Sequence, residues 1–423
     1  MKVNVIWLSI LCVFFYVTAS AQSSDSLKIS LEDAEQLFVK NNMTLLAQKY
    51  NIDAAKAAII QAKLLPNPVV NYEQTLNTKT TVANDVSIGA FGQHALQVQQ
   101  LIQLAGKRQK LVNVAKISAE IPEYQFMEMV RELTYQLRTS FYAIHFLQKT
   151  LSTYGQEITT LNRLVTAYKE QVALGNVPAK EVIRLQSFMV TLETERSDIL
   201  SQITDNQATF KILTGDASVV AIEPVLKEQD LVSKNIDALK LGELSDLALE
   251  QRFDRKIQEA SVRLASATIE LQKSLAKSDL TVGYSFDRAG SYLNNYHAIT
   301  VSMPLAIFNK NQGNIKAAES TLQATRKNSE QLDVQISNEV LQAYLKAKDA
   351  DRLYKAIDKD YLSNFDGLIS GVIENYAKRN ITLLEFTDFL ESYKNTVSQI
   401  NTLNNARIQT IENLNFVVGK KVL

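Results

Sequence analysis

Between Phe126 and Val172 apolar side chains recur every three or four residues: Phe126, Val130, Leu133, Leu137, Phe141, Ile144, Leu147, Leu151, Tyr154, Ile158, Leu161, Val165, Tyr168 and Val172. The mean step is about 3.5 residues, the period of a helix that presents a narrow stripe to partner helices along its whole length. From Glu123 to Val172 there is no proline, and Gly155 is the only glycine. At about 1.5 Å per residue, roughly 50 such residues reach about 75 Å, too far for the interior of a globular domain. The pattern predicts an elongated molecule.

The rest of the chain alternates between this period and a period of two. Ser30-Leu-Glu-Asp33 has the form of a capping box and predicts a helix of about 35 residues that ends before Pro66-Asn67-Pro68. From Val69, Val70, Tyr72, Gln74 and Leu76 fall on one side and Asn71, Glu73 and Thr75 on the other, as in a strand. A Thr-, Asn- and Gly-containing turn, Asn77 to Gln93, leads to a second alternating run, His94 to Ile102. A short helix after Leu104-Ala-Gly-Lys-Arg-Gln109 reaches Pro122, and the long helix follows. Leu174-Gly-Asn-Val-Pro178 ends that helix, and a return helix runs to about Leu213 before Thr214-Gly215.

The same plan then recurs. A helix is expected from about Glu243 to Ala276, strands over Leu280–Phe286 and His297–Met303, and a second long helix, free of Gly and Pro, from Asn314 to Asp366. Tyr376 to Thr382 forms the second turn, and a last helix reaches about Val418. His94 and His297, like Gln109 and Gln312, lie 203 positions apart. The expected organisation is a leader over 1–21, a first repeat over 22–215, a connector with Pro224 over 216–242, and a second repeat over 243–423.

Composition narrows the function. The chain has 45 basic and 45 acidic residues, a balance that argues against a nucleic-acid partner. Lys2, the apolar run Val5 to Val17 and Ala19-Ser20-Ala21 read as a secretory signal cleaved after Ala21. The only cysteine, Cys12, lies inside that segment behind bulky Leu11, so neither a disulfide nor lipidation is expected in the mature chain. No later apolar run is long enough for a transmembrane helix, so a membrane role requires strands. No GxSxG, P-loop, HExxH or paired-cysteine motif is present; neither an enzyme, a cofactor nor a metal site is indicated.

The strand pairs have the length that crosses a bilayer when tilted. In them Val282, Tyr284 and Phe286 oppose Thr281, Gly283 and Ser285, and Ile299, Val301 and Met303 oppose Thr300 and Ser302. One such hairpin would suit a half-buried sheet in a soluble protein. Two, each followed by a helix too long to fold over it, suit a lumen on one face and lipid on the other. Four strands cannot close a barrel, and an open edge in lipid costs several kcal/mol per unpaired group. Three copies would supply about 12 strands.

Taken in order, Leu31-Glu-Asp-Ala34, Asn41-Asn42, Leu65-Pro-Asn-Pro68, Leu104-Ala-Gly-Lys-Arg108, Ala173-Leu-Gly-Asn-Val-Pro178 and Phe308-Asn-Lys-Asn-Gln-Gly313 resemble the outer-membrane efflux family, and the Gly-Lys-Arg version resembles its heavy-metal branch. The resemblance implies a mixed α and β fold: a homotrimeric outer-membrane β-barrel with four strands per protomer, continued by a long α-helical barrel through the periplasm. It implies a passive duct for metal cations or drugs, served by a periplasmic adaptor and an inner-membrane proton-driven pump of the RND type. A type I secretion duct, or a poreless periplasmic coiled-coil adaptor or rod, are the alternatives.

The resemblance also assigns a gate. Tyr376 matches the family's tip tyrosine, and Glu385 and Asp388 match its gate acids, which at i, i+3 share one helix face. Rings of such carboxylates in a trimer would favour cations; an ordinary solvated acidic face is the plainer alternative. Arg379 stands where the family commonly has glycine and Ile381 where a polar or basic tether is common, so Arg379 is expected to supply the gate's tether instead. Gly175, Asn176, Val177 and Pro178, with Asn380, Ile381 and Thr382, are the expected adaptor-docking tips. His94 and His297 are read as rim residues, His145 as packing, and Lys107 and Arg108 as interfacial or loop cations.

Overall fold

The computed structural model describes residues 26–74, 94–226, 235–289, 293–357 and 359–423. The leader with Cys12 and Ala21, the turn from Asn77 to Gln93 and strand residues Thr75 and Leu76 lie outside the described residues, as does part of the connector. The elements run β1 (Leu27–Ile29), α1 (Leu31–Asn41), α2 (Met43–Lys63), β2 (Val69–Gln74), β3 (His94–Ile102), α3 (Lys107–Ala173), α4 (Ala179–Thr214) and β4 (Ile222–Pro224). They continue as α5 (Leu241–Gln251), α6 (Phe253–Leu275), β5 (Leu280–Ala289), β6 (Asn294–Ser302), α7 (Gln312–Ala356), α8 (Lys359–Ala377) and α9 (Leu383–Val418).

The seam read from the sequence is the spine of the core. Its upper part, Leu137, Phe141 and Ile144, is buried with Phe38, Leu45 and Phe210, and Phe126, Val130 and Leu133 pack against that cluster. The lower part, Tyr154, Ile158, Leu161 and Val165, is buried with residues of α4 and α9, and Leu147, Leu151, Tyr168 and Val172 pack beside them. A third cluster joins α5, α7 and the end of α9 around Ile336, Val340 and Ile411.

The helices differ from the expected ones at four places. α3 spans 67 residues and runs straight through Pro122, where the pattern suggested two helices. A proline inside a helix removes one backbone hydrogen bond and costs about 3 kcal/mol. Here flanking helices hold both sides of it: Glu120 pairs with Arg263 of α6 at 2.6 Å, and Glu123 with Lys56 of α2 at 2.9 Å.

The two helices that precede the strand pairs are each broken once. At Asn42 the backbone is extended, its Oδ1 accepts from Leu45 N, and its Nδ2 donates to Leu213 O at the end of α4. At Arg252 the break is held by Asp254, Glu339 and the Val417 carbonyl at the end of α9. Glycines make room for both kinks. A Cβ on Gly215 (φ +67°) would lie 2.8 Å from Asn41 O, and one on Gly419 (φ +77°) would lie 3.3 Å from the Arg252 side chain.

The expected helix from Asn314 to Asp366 stops at Ala356, with Ile357 in extended backbone and α8 starting at Lys359. Lys355 in the last turn is held by Asp237 of the connector and by Asp351, so the connector docks at this break.

The four long strands form one antiparallel sheet in the order β2-β3-β5-β6. Its register keeps the alternation in phase: Val70 faces Val98, Val98 faces Tyr284, and Tyr284 faces Ile299. On the other face Asn71, Gln97 and Ser285 line up. The apolar face is bare in the protomer, with Val70 62 % and Ile299 79 % exposed. The polar face is crowded at Gly283, where a Cβ would meet Thr300 Oγ1 at 2.6 Å.

Lys107 is neither an interfacial anchor nor a loop cation. Its ammonium is buried against Asp279 at 2.7 Å, and Asp279 also accepts from Leu104 N, so the bend after β3 is tied to the bend before β5. A short parallel pair, β1 with β4, fastens the N-terminal segment to the connector, and nothing in the hydropathy pattern announced it. Among the described residues no helix is long and apolar enough to cross a membrane, which says nothing of a barrel.

Candidate functional site

The end of the molecule far from the sheet is built from two helix turns, α3 to α4 and α8 to α9. In the first, Gly175 adopts left-handed backbone (φ +75°), Asn176 N donates to Gln171 O, and Asn176 Nδ2 donates to Gln171 Oε1 at 3.0 Å. In the second, Arg379 takes the same backbone (φ +61°), Asn380 N donates to Asn375 O, and Asn380 Nδ2 donates to Asn375 Oδ1 at 3.0 Å. Each is a helix C-cap that satisfies carbonyls left over by the last turn. Gly175, Asn176, Pro178, Asn380 and Thr382 are exposed, Ile381 is half-buried and Val177 is buried beneath its tip. Arg379 holds a conformation that costs a side chain about 1–2 kcal/mol. Arg379→Gly is therefore expected to stabilise the protein by about 1 kcal/mol in thermal unfolding, and an unchanged or lowered Tm would show that the arginine's contacts outweigh the strain.

α9 starts with a capping box. Thr382 Oγ1 accepts from Glu385 N at 3.2 Å, and the Glu385 carboxylate accepts from Thr382 N and Oγ1, both at 2.8 Å. These hydrogen bonds, the backbone one first, hold the Glu385 carboxyl below the usual glutamate range. Thr382-Leu-Leu-Glu385 carries this cap in its sequence as an S/T-x-x-E signature, beside its place at the tip. Asp388 is exposed one turn further on, without an ion-pair partner among the described residues.

Tyr376 lies apart from both acids' surface. It is 2 % exposed and stacked between Phe386, with centroids 4.1 Å apart, and Tyr168, at 5.4 Å. Burial, then Tyr168, raises its hydroxyl pKa. The ring clamps α8 and α9 to the seam of α3 just inside the tip. Thus Glu385 and Thr382 meet, the two turns share one geometry, and Tyr376 works from the core.

A sequence profile for the family described as outer membrane efflux protein matches residues 36–216 and 244–420. The chain belongs to the outer membrane efflux protein family. The two matched stretches hold both strand pairs and all four tip helices, so the poreless adaptor or rod reading is set aside; this is a family of efflux proteins and not of enzymes.

The cobalt-zinc-cadmium resistance protein CzcC of Cupriavidus metallidurans is 24 % identical over 293 residues, which are 69 % of this efflux protein and 66 % of that relative. The match thus spans just under two thirds of CzcC. Among solved structures, that of CusC superposes with a TM-score of 0.74 at 16 % identity, covering 92 % of each chain. The Campylobacter jejuni CmeC outer membrane channel gives 0.75 at 13 % identity, covering 93 % of this chain and 87 % of that one. At such identities the likeness is one of fold.

Elsewhere the strands carry two matching pairs. Tyr72 OH lies 2.8 Å from His94 Nδ1, and Tyr284 OH lies 2.6 Å from His297 Nδ1. The histidines are thereby partnered on the apolar face, and no cluster of metal-ligating side chains occurs among the described residues. His145 packs on Phe146 and reaches the Pro224 carbonyl at 3.3 Å, with burial lowering its pKa.

Proposed function

We propose that three copies of this chain close a 12-stranded barrel in the outer membrane and continue it as a helical duct through the periplasm, the exit path of a tripartite efflux system. The observation that carries this is the open four-stranded sheet. Among the described residues β2 and β6 end it with unpaired edges, one face is a bare apolar surface, and lipid tolerates a sheet only when its backbone groups are all paired. Two copies of one plan in each chain support the reading, since the two tips repeat the same hydrogen bonds 204 positions apart, Asn176 to Asn380.

The cargo is metal cations or drugs handed over by an adaptor and an inner-membrane proton-driven pump, and the likeness to a cobalt-zinc-cadmium resistance protein favours divalent cations. The adaptor docks on the tips, Gly175 to Pro178 and Asn380 to Thr382, through the exposed Gly175, Asn176, Pro178, Asn380 and Thr382, with Val177 beneath them. Asp388 and Glu385 ring the axis beside them, while Tyr376 and Arg379 fix the angle at which α9 leaves the tip.

Closure by three copies predicts that cysteine pairs placed across β2 and β6 crosslink between protomers and give a three-rung ladder on denaturing gels. A purified mature protein that stays monomeric in water without detergent overturns the reading. For the gate, Asp388→Asn in planar bilayers is expected to weaken block by divalent cations severalfold. Glu385→Gln keeps the capping box, because a glutamine oxygen also accepts from Thr382 N, so any weakening of block there reports the lost charge rather than a lost cap. Cation block unchanged in Asp388→Asn removes that residue from the constriction.

A further inference from the structure

On the tip-side part of the helical shaft, three helices bring together an uneven set of charges. Lys394 of α9 is buried and its ammonium lies 2.7 Å from Glu195 Oε2 of α4, which also accepts from Tyr154 OH of α3 at 3.0 Å. One turn from Tyr154, Glu157 of α3 is 4 % exposed, and neither of its carboxyl oxygens has a hydrogen-bond partner. Among the described residues, the charged or titratable groups acting on Glu157 are Lys394 and Glu195, with the Tyr154 phenol beside them. The two acids differ in one respect that matters. The Glu195 side chain is 37 % exposed and can stand ionised in water without the lysine, whereas Glu157 cannot.

The geometry points to Lys394 as a two-position latch: its ammonium rests on Glu195 of α4 in this packing and transfers to Glu157 of α3 when α9 shifts as the shaft opens. In that shift Glu157 gives its proton to water and becomes a carboxylate, Lys394 keeps its charge throughout, and Glu195 is left hydrated with the Tyr154 hydroxyl. Protons and charge balance with no other reactant. Burial, opposed by Lys394 and aided by Glu195, pushes the Glu157 carboxyl up to about 8, so the resting seat matches a protonated acid at neutral pH. Rising pH then favours the second seat.

The arrangement is testable without a pore. The infrared carbonyl band of a protonated, buried carboxyl is expected in the purified protein at pH 7 and is lost in Glu157→Gln. In Glu195→Gln, Lys394 moves to Glu157, which ionises, and the band should vanish although Glu157 is intact. In Lys394→Gln no ammonium can reach Glu157, and the band should persist to higher pH than in the parent. A band retained at pH 7 in a folded Glu195→Gln protein overturns the exchange and leaves Glu157 as a fixed neutral side chain. The functional arm rests on the duct reading. In bilayers the open-to-closed ratio should climb by up to about tenfold per pH unit per protomer below the midpoint, and stay flat in Glu157→Gln. The same pH response in parent and variant overturns the link to opening, while absence of any conductance with the infrared results intact counts against the duct alone.

Discussion

Arg407→Leu is expected to destabilise the protein by about 3–5 kcal/mol, the usual cost of removing one partner from a buried ion pair. Arg407 Nε lies 2.7 Å from Asp351 Oδ1, each side chain is 3 % exposed, and the guanidinium also covers the Tyr354 ring at 4.2 Å. Without it, the partner left to Asp351 among the described residues is Lys355, at 2.8 Å and half exposed, which offsets little of the loss. The pair ties α7 to α9 just before the break at Ile357, so the damage should reach the helices below it. Thermal and denaturant unfolding in detergent measure the effect. The double variant Arg407→Leu, Asp351→Leu should recover much of it, because no charge is then left buried alone. A single variant within about 1 kcal/mol of the parent would show that water or Lys355 replaces the arginine.

Glu157→Gln is expected to stabilise the protein by about 3 kcal/mol at pH 7, where most core substitutions destabilise. The folded carboxyl titrates near 8 and the unfolded one at 4.5, so between these values the folded state holds the extra proton. The contribution of Glu157 to stability is therefore greatest below pH 4.5, falls by about 1.4 kcal/mol per unit as pH rises, and levels off above 8. Glutamine keeps the shape of the neutral acid without titrating. Its unfolding free energy should match the parent's near pH 4.5 and exceed it increasingly up to pH 8. Parallel pH profiles in the two proteins would mean that Glu157 is solvated in the folded state.

The amphipathic periods carried far. A seam at 3.5-residue spacing can be satisfied only by helices along its length, and every one of its positions from Phe126 to Val172 packs into the core. Period-two alternation in four short runs placed four strands, and their pairing keeps the apolar side chains on one face because a one-residue slip would bury the wrong set. Both tips were legible from Leu174-Gly-Asn-Val-Pro178 and from the register of the second turn. Local signals failed where a contact from far along the chain decides. Pro122 reads as a breaker, yet α3 continues through it, with α2 and α6 paired to residues on either side. Asn42 and Arg252 read as ordinary helix positions, yet the ends of α4 and α9 hold them extended.

The sequence by itself determined the class of molecule: long helices that need partners, strands with one apolar face, two tips, and membership of an efflux family. These rest on residues near one another in the chain, whose period and turn chemistry act locally. Only the tertiary structure decided which charges are buried and with whom. Glu157, Glu195 and Lys394 come from three helices, as Lys107 and Asp279 come from opposite halves of the chain. A carboxylate's proton affinity depends on the water and ions within a few ångströms of it, and those neighbours are set by packing, which no local pattern records.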